Sequence, residues 1–328
     1  MPHVFSPELV ALGEVLIDFT QAGLSPNGRA LFERNAGGAP ANVAVQAARL
    51  GMSAQFVGKV GADMHGDFLR RSLQECGVEV SSVAQDPDAF TTLAFVEVDP
   101  RTAERSFSFA RKPGADTRLS PAEVPEQAIR DCHVLHVGSL SLTDEPARAA
   151  TLHAVDLARQ AGALISYDPN YRASLWPSES EAIEQMTTLL QQADLVKINE
   201  DEALLLCGTS NPEVAARYIL NQGAALVAVT LGSQGALVAT QAESILVPAC
   251  PCQARDATGA GDSFWGAFLF QLVHEQGVRT ASDLAALSRE ALLCAGSFAC
   301  AAASCCVERP GGIPAMPNMH EVLDRLAR

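Results

Sequence analysis

Asp256-Ala257-Thr258-Gly259-Ala260-Gly261-Asp262-Ser263-Phe264 is the stretch on which the reading of this chain turns. It follows a short β-type run, Ser244 to Ala249, and it opens a segment whose apolar residues Phe264, Phe268 and Leu272 fall four apart, the spacing of one helix face. Strand, glycine loop and helix in that order make a phosphate-handling unit of an α/β sheet. Gly259 and Gly261 remove side chains, so backbone N–H groups can crowd around an anion, and the helix start adds unpaired donors and a positive dipole end. Asp262 then lies in the first turn, a carboxylate beside a phosphate-sized hole. That arrangement suits a base that deprotonates a nucleophile next to a transferring phosphoryl group. A tight turn followed by a helix-capping aspartate would leave the same trace. A Walker A loop is excluded because Gly58-Lys59 is followed by Val60, and a dinucleotide fingerprint fails because its third glycine would fall at Phe264.

Outward from this loop the chain alternates. Leu9 to Phe19 is a continuous apolar run interrupted by Glu14 and Asp18, expected as a buried parallel strand with polar groups at its carboxyl end. Gly37-Gly38-Ala39-Pro40-Ala41-Asn42 leads into a helix with Val43, Ala47 and Leu50 on its apolar face and Gly51 at its end, and Pro40 suits the first turn. A strand at Gln55 to Gly61 and a helix at Met64 to Cys76 follow. Further strands are expected at Cys132–Leu140, Ala163–Asp168, Leu195–Asn199, Leu226–Thr230, Ala236–Thr240 and Ser244–Ala249. The first four are separated by helices, which means a parallel sheet covered on both faces. Between Phe90 and Asp99, and between Arg105 and Arg111, apolar and polar residues alternate instead, with a turn at Asp99-Pro100-Arg101-Thr102. This is antiparallel grammar. The expected architecture is a three-layer αβα sandwich on residues 1–16, 38–88 and 112–328, with short β segments at 17–37 and 89–111 forming a lid. In such sheets the ligand sits beyond the carboxyl ends of the strands.

Composition narrows the function. The chain has 328 residues, 48% hydrophobic and 19% charged, with a formal net charge of −15. It has no cluster of Lys and Arg, so nucleic acid and anionic membranes are poor partners. No uncharged apolar stretch reaches the length of a membrane span, and Met1-Pro2-His3 opens no basic leader; a cytoplasmic protein is expected. The nine cysteines include no C-x-x-C, and they read as reduced, small core residues rather than as a disulfide or zinc framework. His133 and His136 sit three apart on a strand, which points them to opposite faces.

Asp256 to Asp262 resembles the second signature of the ribokinase/PfkB sugar kinases, and Gly37 to Asn42, with Gly51 and Gly61 downstream, resembles the first. Two signatures about 220 residues apart, in the right order within α/β and lid grammar, extend the resemblance over essentially the whole chain. It implies that Asp262 is the catalytic base and that the amides of Gly259, Ala260 and Gly261 form the anion hole. It implies ATP, with Asn199 near the phosphates, Thr230, Gly232, Gly235, Thr258, Gly259 and Gly261 around the nucleotide, and Mg²⁺ organised by Glu202 through water. It also implies a K⁺ behind the anion hole, held by Asp256, the Thr258 carbonyl and the loop Arg309 to Ala315. Ala315 stands there where several relatives supply a Ser hydroxyl. Cys294-Ala295-Gly296-Ser297 lacks the Asn that many relatives carry near adenine.

Asp168-Pro169-Asn170-Tyr171-Arg172 and Gly13-Glu14-Val15-Leu16-Ile17-Asp18 are similar to motifs of the fructokinase branch and of its neighbour, the 2-keto-3-deoxygluconate kinases. The resemblance implies a sugar bound by Asp18, Gly38, Asn42, Arg172 and Asp262, and covered by Phe109 and Arg111 from the lid. Phe109 lacks the hydroxyl of the tyrosine common in the keto-deoxy acid kinases. An acid substrate would need an extra cation, so the strongly negative charge favours a neutral ketohexose. Phosphorylation of fructose by ATP to fructose 6-phosphate is the expectation. The rivals are the keto-deoxy acid kinase, a ribokinase or nucleoside kinase, and an inactive sugar-binding regulator. An exposed lid edge invites pairing of two copies.

Overall fold

The apolar run from Leu9 to Phe19, expected as one strand, is divided between two sheets. β1 (Leu9–Leu12) lies in a nine-stranded sheet, whereas β2 (Leu16–Leu24) opens a separate four-stranded one. The first ladder ends where Gly13 donates to the Val57 carbonyl at 3.1 Å, and the second begins where Ile17 donates to Thr92 at 3.1 Å. Between them Glu14 accepts from the Ala39 N–H at 3.0 Å, so a buried carboxylate replaces the ladder partner at the changeover. The computed structural model describes residues 6–98 and 105–327; the turn expected at Asp99 to Thr102 lies outside them.

In chain order, β3 (Ala30–Gly37) and α1 (Ala39–Leu50) follow β2, then β4 (Ala54–Gly61), α2 (Met64–Glu75), β5 (Val83–Asp86), β6 (Leu93–Val98) and β7 (Arg105–Ala110). The second half runs α3 (Glu126–Asp131), β8 (Val134–Val137), α4 (Ala147–Ala161), β9 (Leu164–Tyr167), α5 (Glu179–Leu190), β10 (Leu195–Asn199), α6 (Glu200–Cys207), α7 (Pro212–Asn221) and β11 (Leu226–Thr230). It closes with β12 (Ala236–Ala239), β13 (Ser244–Val247), α8 (Ala260–Leu269), α9 (Ala281–Ala285), α10 (Arg289–Cys306) and α11 (Met319–Leu326). The large sheet has the order β13-β12-β11-β10-β9-β8-β1-β4-β5, parallel from β11 to β5 and antiparallel at β12 and β13. Its strands are short and apolar because both faces are covered. One face carries a core that includes Val43, Leu69, Phe264, Phe268 and Ala295, and the other a core of Ala154, Met186, Ala203 and Ile219. This is the expected αβα sandwich.

The small sheet has the order β3-β2-β6-β7 and fits the expected lid. Its β6–β7 and β2–β3 pairs are antiparallel, whereas β2 and β6 run parallel. Phe19 and Phe95, directly opposite in register, stack with centroids 5.3 Å apart, and Phe32 meets Phe95 edge-on at 6.2 Å. All nine cysteines are free. Cys132, Cys300, Cys305 and Cys306 are buried as expected, but Cys252 and Cys294 are exposed. The core expectation therefore fails for those two. His136 is buried against Ser166 Oγ at 3.0 Å, a hydroxyl that also accepts from Trp265 Nε1 at 2.8 Å.

Candidate active site

A cavity of about 1030 Å³ lies beyond the carboxyl ends of the parallel strands. The glycine loop at the start of α8 forms its floor. Gly259, the residue before the helix, has φ 76°, a left-handed conformation that glycine adopts without strain. Ala260 and Gly261 begin the helix, and all three line the cavity, so the first unpaired amides of α8 lie at its wall. Asp262 sits in the same turn and is 6% exposed. One oxygen accepts from Asn42 Nδ2 at 2.7 Å, the other from Asn170 Nδ2 at 3.2 Å. Burial pushes its carboxyl up to about 6, helped by the nearby Asp168 charge and opposed by Lys197, the Asn42 hydrogen bond and Arg172. A group held near neutrality in a cavity is fitted for proton transfer.

Lys197 has no place in the sequence reading, and Asp168 enters it only as the first residue of a motif without a role. Lys197 interrupts the apolar β10, and its Nζ donates to Asp168 Oδ2 at 2.7 Å with both side chains nearly fully buried. The ammonium lies against the glycine loop: a Cβ on Gly261 would come within 2.8 Å of Nζ. Any larger residue at 261 would displace it. Its pairing with Asp168 keeps Lys197 charged despite burial. The legible signal was a lysine inside a strand that otherwise reads Leu-Val-x-Ile. Asn170, the partner of Asp262, is likewise quoted in that motif without a role, and its backbone has φ 44°. That left-handed turn aims the amide at the base.

Asp18 lines the same cavity as Asp262 and is 8% exposed. Its carboxylate packs against the Gly37 backbone where a side chain would collide with it, which accounts for the glycine there. Burial pushes Asp18 up to about 7; Arg172 opposes the rise, whereas Asp262 and Asp256 add to it. Gly38, Asn42, Phe109 and Arg172 line the same region. Arg111 does not join them. Its guanidinium is buried, donating to Asp116 at 2.7–2.8 Å, Thr143 Oγ1 at 2.7 Å and the Leu140 carbonyl at 2.9 Å. The arginine expected at the substrate is here held within the fold, because one buried Asp116 oxygen accepts from two of its nitrogens while the other accepts from the Thr92 hydroxyl.

At the other end of the cavity stand Thr230, Gly232 and Gly235, together with Thr258 and Asn199. Asn199 caps α6 by accepting from the Glu202 N–H at 2.9 Å, and Glu202 answers by accepting from the Asn199 N–H at 2.9 Å. The second Glu202 oxygen accepts from the Tyr171 N–H at 2.9 Å. Glu202 is thus occupied as a capping-box residue, and the carboxylates of this run that line the cavity are Glu200 and Asp201. Asp256 accepts from the Thr258 N–H at 2.7 Å and the Gly311 N–H at 3.0 Å, tying the glycine loop to the segment Arg309 to Ala315. The helix that walls this end contributes Cys300, Ala303, Ser304 and Val307. The departure read at Cys294 to Ser297 is therefore displaced: Cys294 is exposed, and the cavity begins nearly two turns later.

Residues 6–319 match the family model described as pfkB family carbohydrate kinase. Fructokinase-2 of Solanum lycopersicum is 40% identical over 321 residues, covering 97% of this chain and 95% of that protein. The crystal structure of a Xylella fastidiosa fructokinase with bound ATP superposes with a TM-score of 0.89 at 34% identity, covering 97% of this chain and 98% of that one. A double-mutant fructokinase of Vibrio cholerae O395, solved with fructose, ADP and potassium ion, gives 0.87 at 30% identity, with 99% and 100% covered. A glycine loop with a buried carboxylate beyond the carboxyl ends of a parallel sheet, a second four-stranded sheet and a match over nearly the whole length agree: this chain belongs to the pfkB family of carbohydrate kinases.

Proposed function

We propose that this chain is a fructokinase: it transfers the γ-phosphoryl group of ATP to the terminal hydroxymethyl oxygen of fructose, giving fructose 6-phosphate and ADP. The observation that carries the reading is Asp262, a buried carboxylate held by two asparagine amides in the first turn of α8, beside the glycine loop and lining one cavity with Asp18. Asp18 accepts hydrogen bonds from sugar hydroxyls, with Gly38, Asn42, Phe109 and Arg172 completing the sugar wall. Asp262 takes the proton of the hydroxymethyl group as its oxygen attacks the γ-phosphorus. The bond from that phosphorus to the β–γ bridging oxygen breaks, and ADP leaves. The amides of Gly259, Ala260 and Gly261 and the Lys197 ammonium stabilise the charge on the phosphoryl oxygens, so the rate comes from positioning and electrostatics.

The nucleotide lies along Thr230, Gly232, Gly235 and Thr258, with its base toward α10. Mg²⁺, a hard cation that keeps several waters, would be organised by Glu202 through water, with Glu200 and Asp201 lining the cavity in front of it; when bound it neutralises phosphate charge. The K⁺ position is the junction of the Asp256 loop with the segment from Arg309 to Ala315. In this reading residues 17–37 and 89–111 are the lid and the remainder is the core. The enzyme is cytoplasmic and forms dimers through the lid, where edge strand β3 exposes Leu31 and Phe32. Among the described residues no helix is long and apolar enough to cross a membrane.

The test is ATP consumption over a panel of fructose, ribose, 2-keto-3-deoxygluconate and a nucleoside. Fructose should give the highest kcat/KM. A preference for the keto-deoxy acid would overturn the substrate, and no turnover with any sugar would leave only a binding protein.

A further inference from the structure

The turn Asp168-Pro169-Asn170 after β9 is held from several sides. Asp168 Oδ2 accepts from Lys197 Nζ at 2.7 Å, and its Oδ1 accepts from the Asn170 backbone N–H at 3.2 Å. The Pro169 carbonyl accepts from the Ser139 N–H at 3.1 Å, which ties the turn to the end of β8. Within this frame Asn170 has φ 44°, and among the described residues it is the only one besides glycines with a positive φ. A left-handed residue other than glycine costs free energy, and such strain persists where the surroundings over-determine it, often at a functional site. Here the strained residue donates from Nδ2 to Asp262 Oδ1 at 3.2 Å, whereas Asn42 Nδ2 donates to Oδ2 at 2.7 Å. A carboxylate held through one oxygen can still turn about that bond. Held through both, from α1 and from the turn after β9, it keeps one orientation.

We propose that Asn170 is a positioning residue for the base: its amide fixes the orientation of the Asp262 carboxylate and stabilises the ionised form. The inference rests on the role given to Asp262 above. An N–H donor favours a charged acceptor over a neutral one, and protonation at Oδ1 would forfeit this bond. The other groups acting on Asp262 are Asp168, Lys197 and Arg172, with Asp18 and the Cys306 thiol also within electrostatic reach. A substitution at position 170 removes none of them, so its effect reports on the amide.

Two variants keep the turn, because glycine and aspartate both tolerate the left-handed region. Asn170→Gly deletes the amide, and Asn170→Asp sets a second carboxylate against Oδ1. Carbon NMR of isotope-labelled aspartate carboxyls in the full chain follows the titration of Asp262, assigned by the resonance lost in Asp262→Asn. Its midpoint should rise by about half a unit in Asn170→Gly and by about one unit or more in Asn170→Asp. The acid limb of the pH–rate profile with fructose should move in the same order. At pH 8 Asn170→Gly should lose about tenfold in kcat, with KM for fructose and ATP within about twofold of the parent. An unmoved midpoint in Asn170→Gly overturns the inference. A fructose KM raised about tenfold at unchanged kcat also overturns it, and makes Asn170 a sugar ligand. If the midpoints move in this order but the parent phosphorylates no sugar, the effect on the carboxyl stands and the proposed function falls alone.

Discussion

Asp262 carries two opposing demands that a single substitution separates. Its carboxyl is held up to about 6 mainly by burial, above the ordinary aspartate value of about 3.9. As a base it must be ionised, so kcat/KM for the sugar should fall as pH drops through about 6. As a buried acid it acts on stability with the opposite sign. Its folded value exceeds its unfolded one, so its contribution is fully present below about 4 and is lost as pH rises through about 6. Asp262→Asn should therefore cut turnover by about 10²-fold or more while raising the melting temperature at pH 8, by the equivalent of about 1–2 kcal/mol. Turnover within a few-fold of the parent would remove Asp262 from the role of base. Lys197 gives a second prediction. Its charge holds the Asp262 carboxyl down, so Lys197→Met should move the acid limb of the pH profile upward. The same change strands Asp168, 1% exposed, without its partner, at a cost of about 3–5 kcal/mol. A pH–rate profile with an unmoved acid limb would mean that the ammonium does not act on the base.

Between elements, the loop before α8 and the segment 309–315 behave as one piece because Asp256 accepts amides from both. A monovalent cation at that junction would fix the loop carbonyls and leave the opposite N–H faces toward phosphate. Ala315 offers no side-chain oxygen, so activation by K⁺ over Na⁺ should be modest, and weaker still in Asp256→Ala. Initial rates in K⁺, Na⁺ and a bulky organic cation at constant ionic strength measure it; equal rates in all three would leave Asp256 as a loop clasp alone. The capping box of α6 is a parallel case. Asn199 and Glu202 satisfy each other, and Glu202 also holds the Tyr171 amide, which sets the entrance of α6 and the turn after β9 at a common height beside the cavity.

Across the whole molecule, the four-stranded sheet joins the αβα body through four crossings, at Gly13 to Val15, at Gly38, between β5 and β6 near Thr92, and after β7 at Arg111. Phe19 stacks on Phe95 within the sheet and also packs against the core of the body, meeting His65 of α2 edge-on at 5.9 Å, so any movement of the sheet has to slide across that contact. Closure has to exclude water from a γ-phosphate that would otherwise hydrolyse. Saturating fructose should slow amide exchange in β6 and β7, residues 93–98 and 105–110, relative to the free protein. Exchange unchanged by fructose would make the small sheet a fixed wall.

Period and punctuation in the sequence determined the alternating α/β body, the antiparallel departure near residues 90–111 and the glycine loop with its aspartate, because each is written in neighbouring residues. Strands Leu195–Asn199 and Leu226–Thr230 are legible to the residue for that reason. What escaped depends on partners far along the chain. The run from Leu9 to Phe19 looks uniform, yet Glu14 finds the Ala39 amide and the chain changes sheets there. Arg111 sits where a substrate-covering arginine is expected, but Asp116, Thr143 and Leu140 satisfy it within the fold. Lys197 looks like an error in an apolar strand until β9 brings Asp168 beside it and Gly261 makes room for its ammonium. A buried charge is tolerable only where folding supplies its counter-charge, and that supply is decided by the tertiary structure.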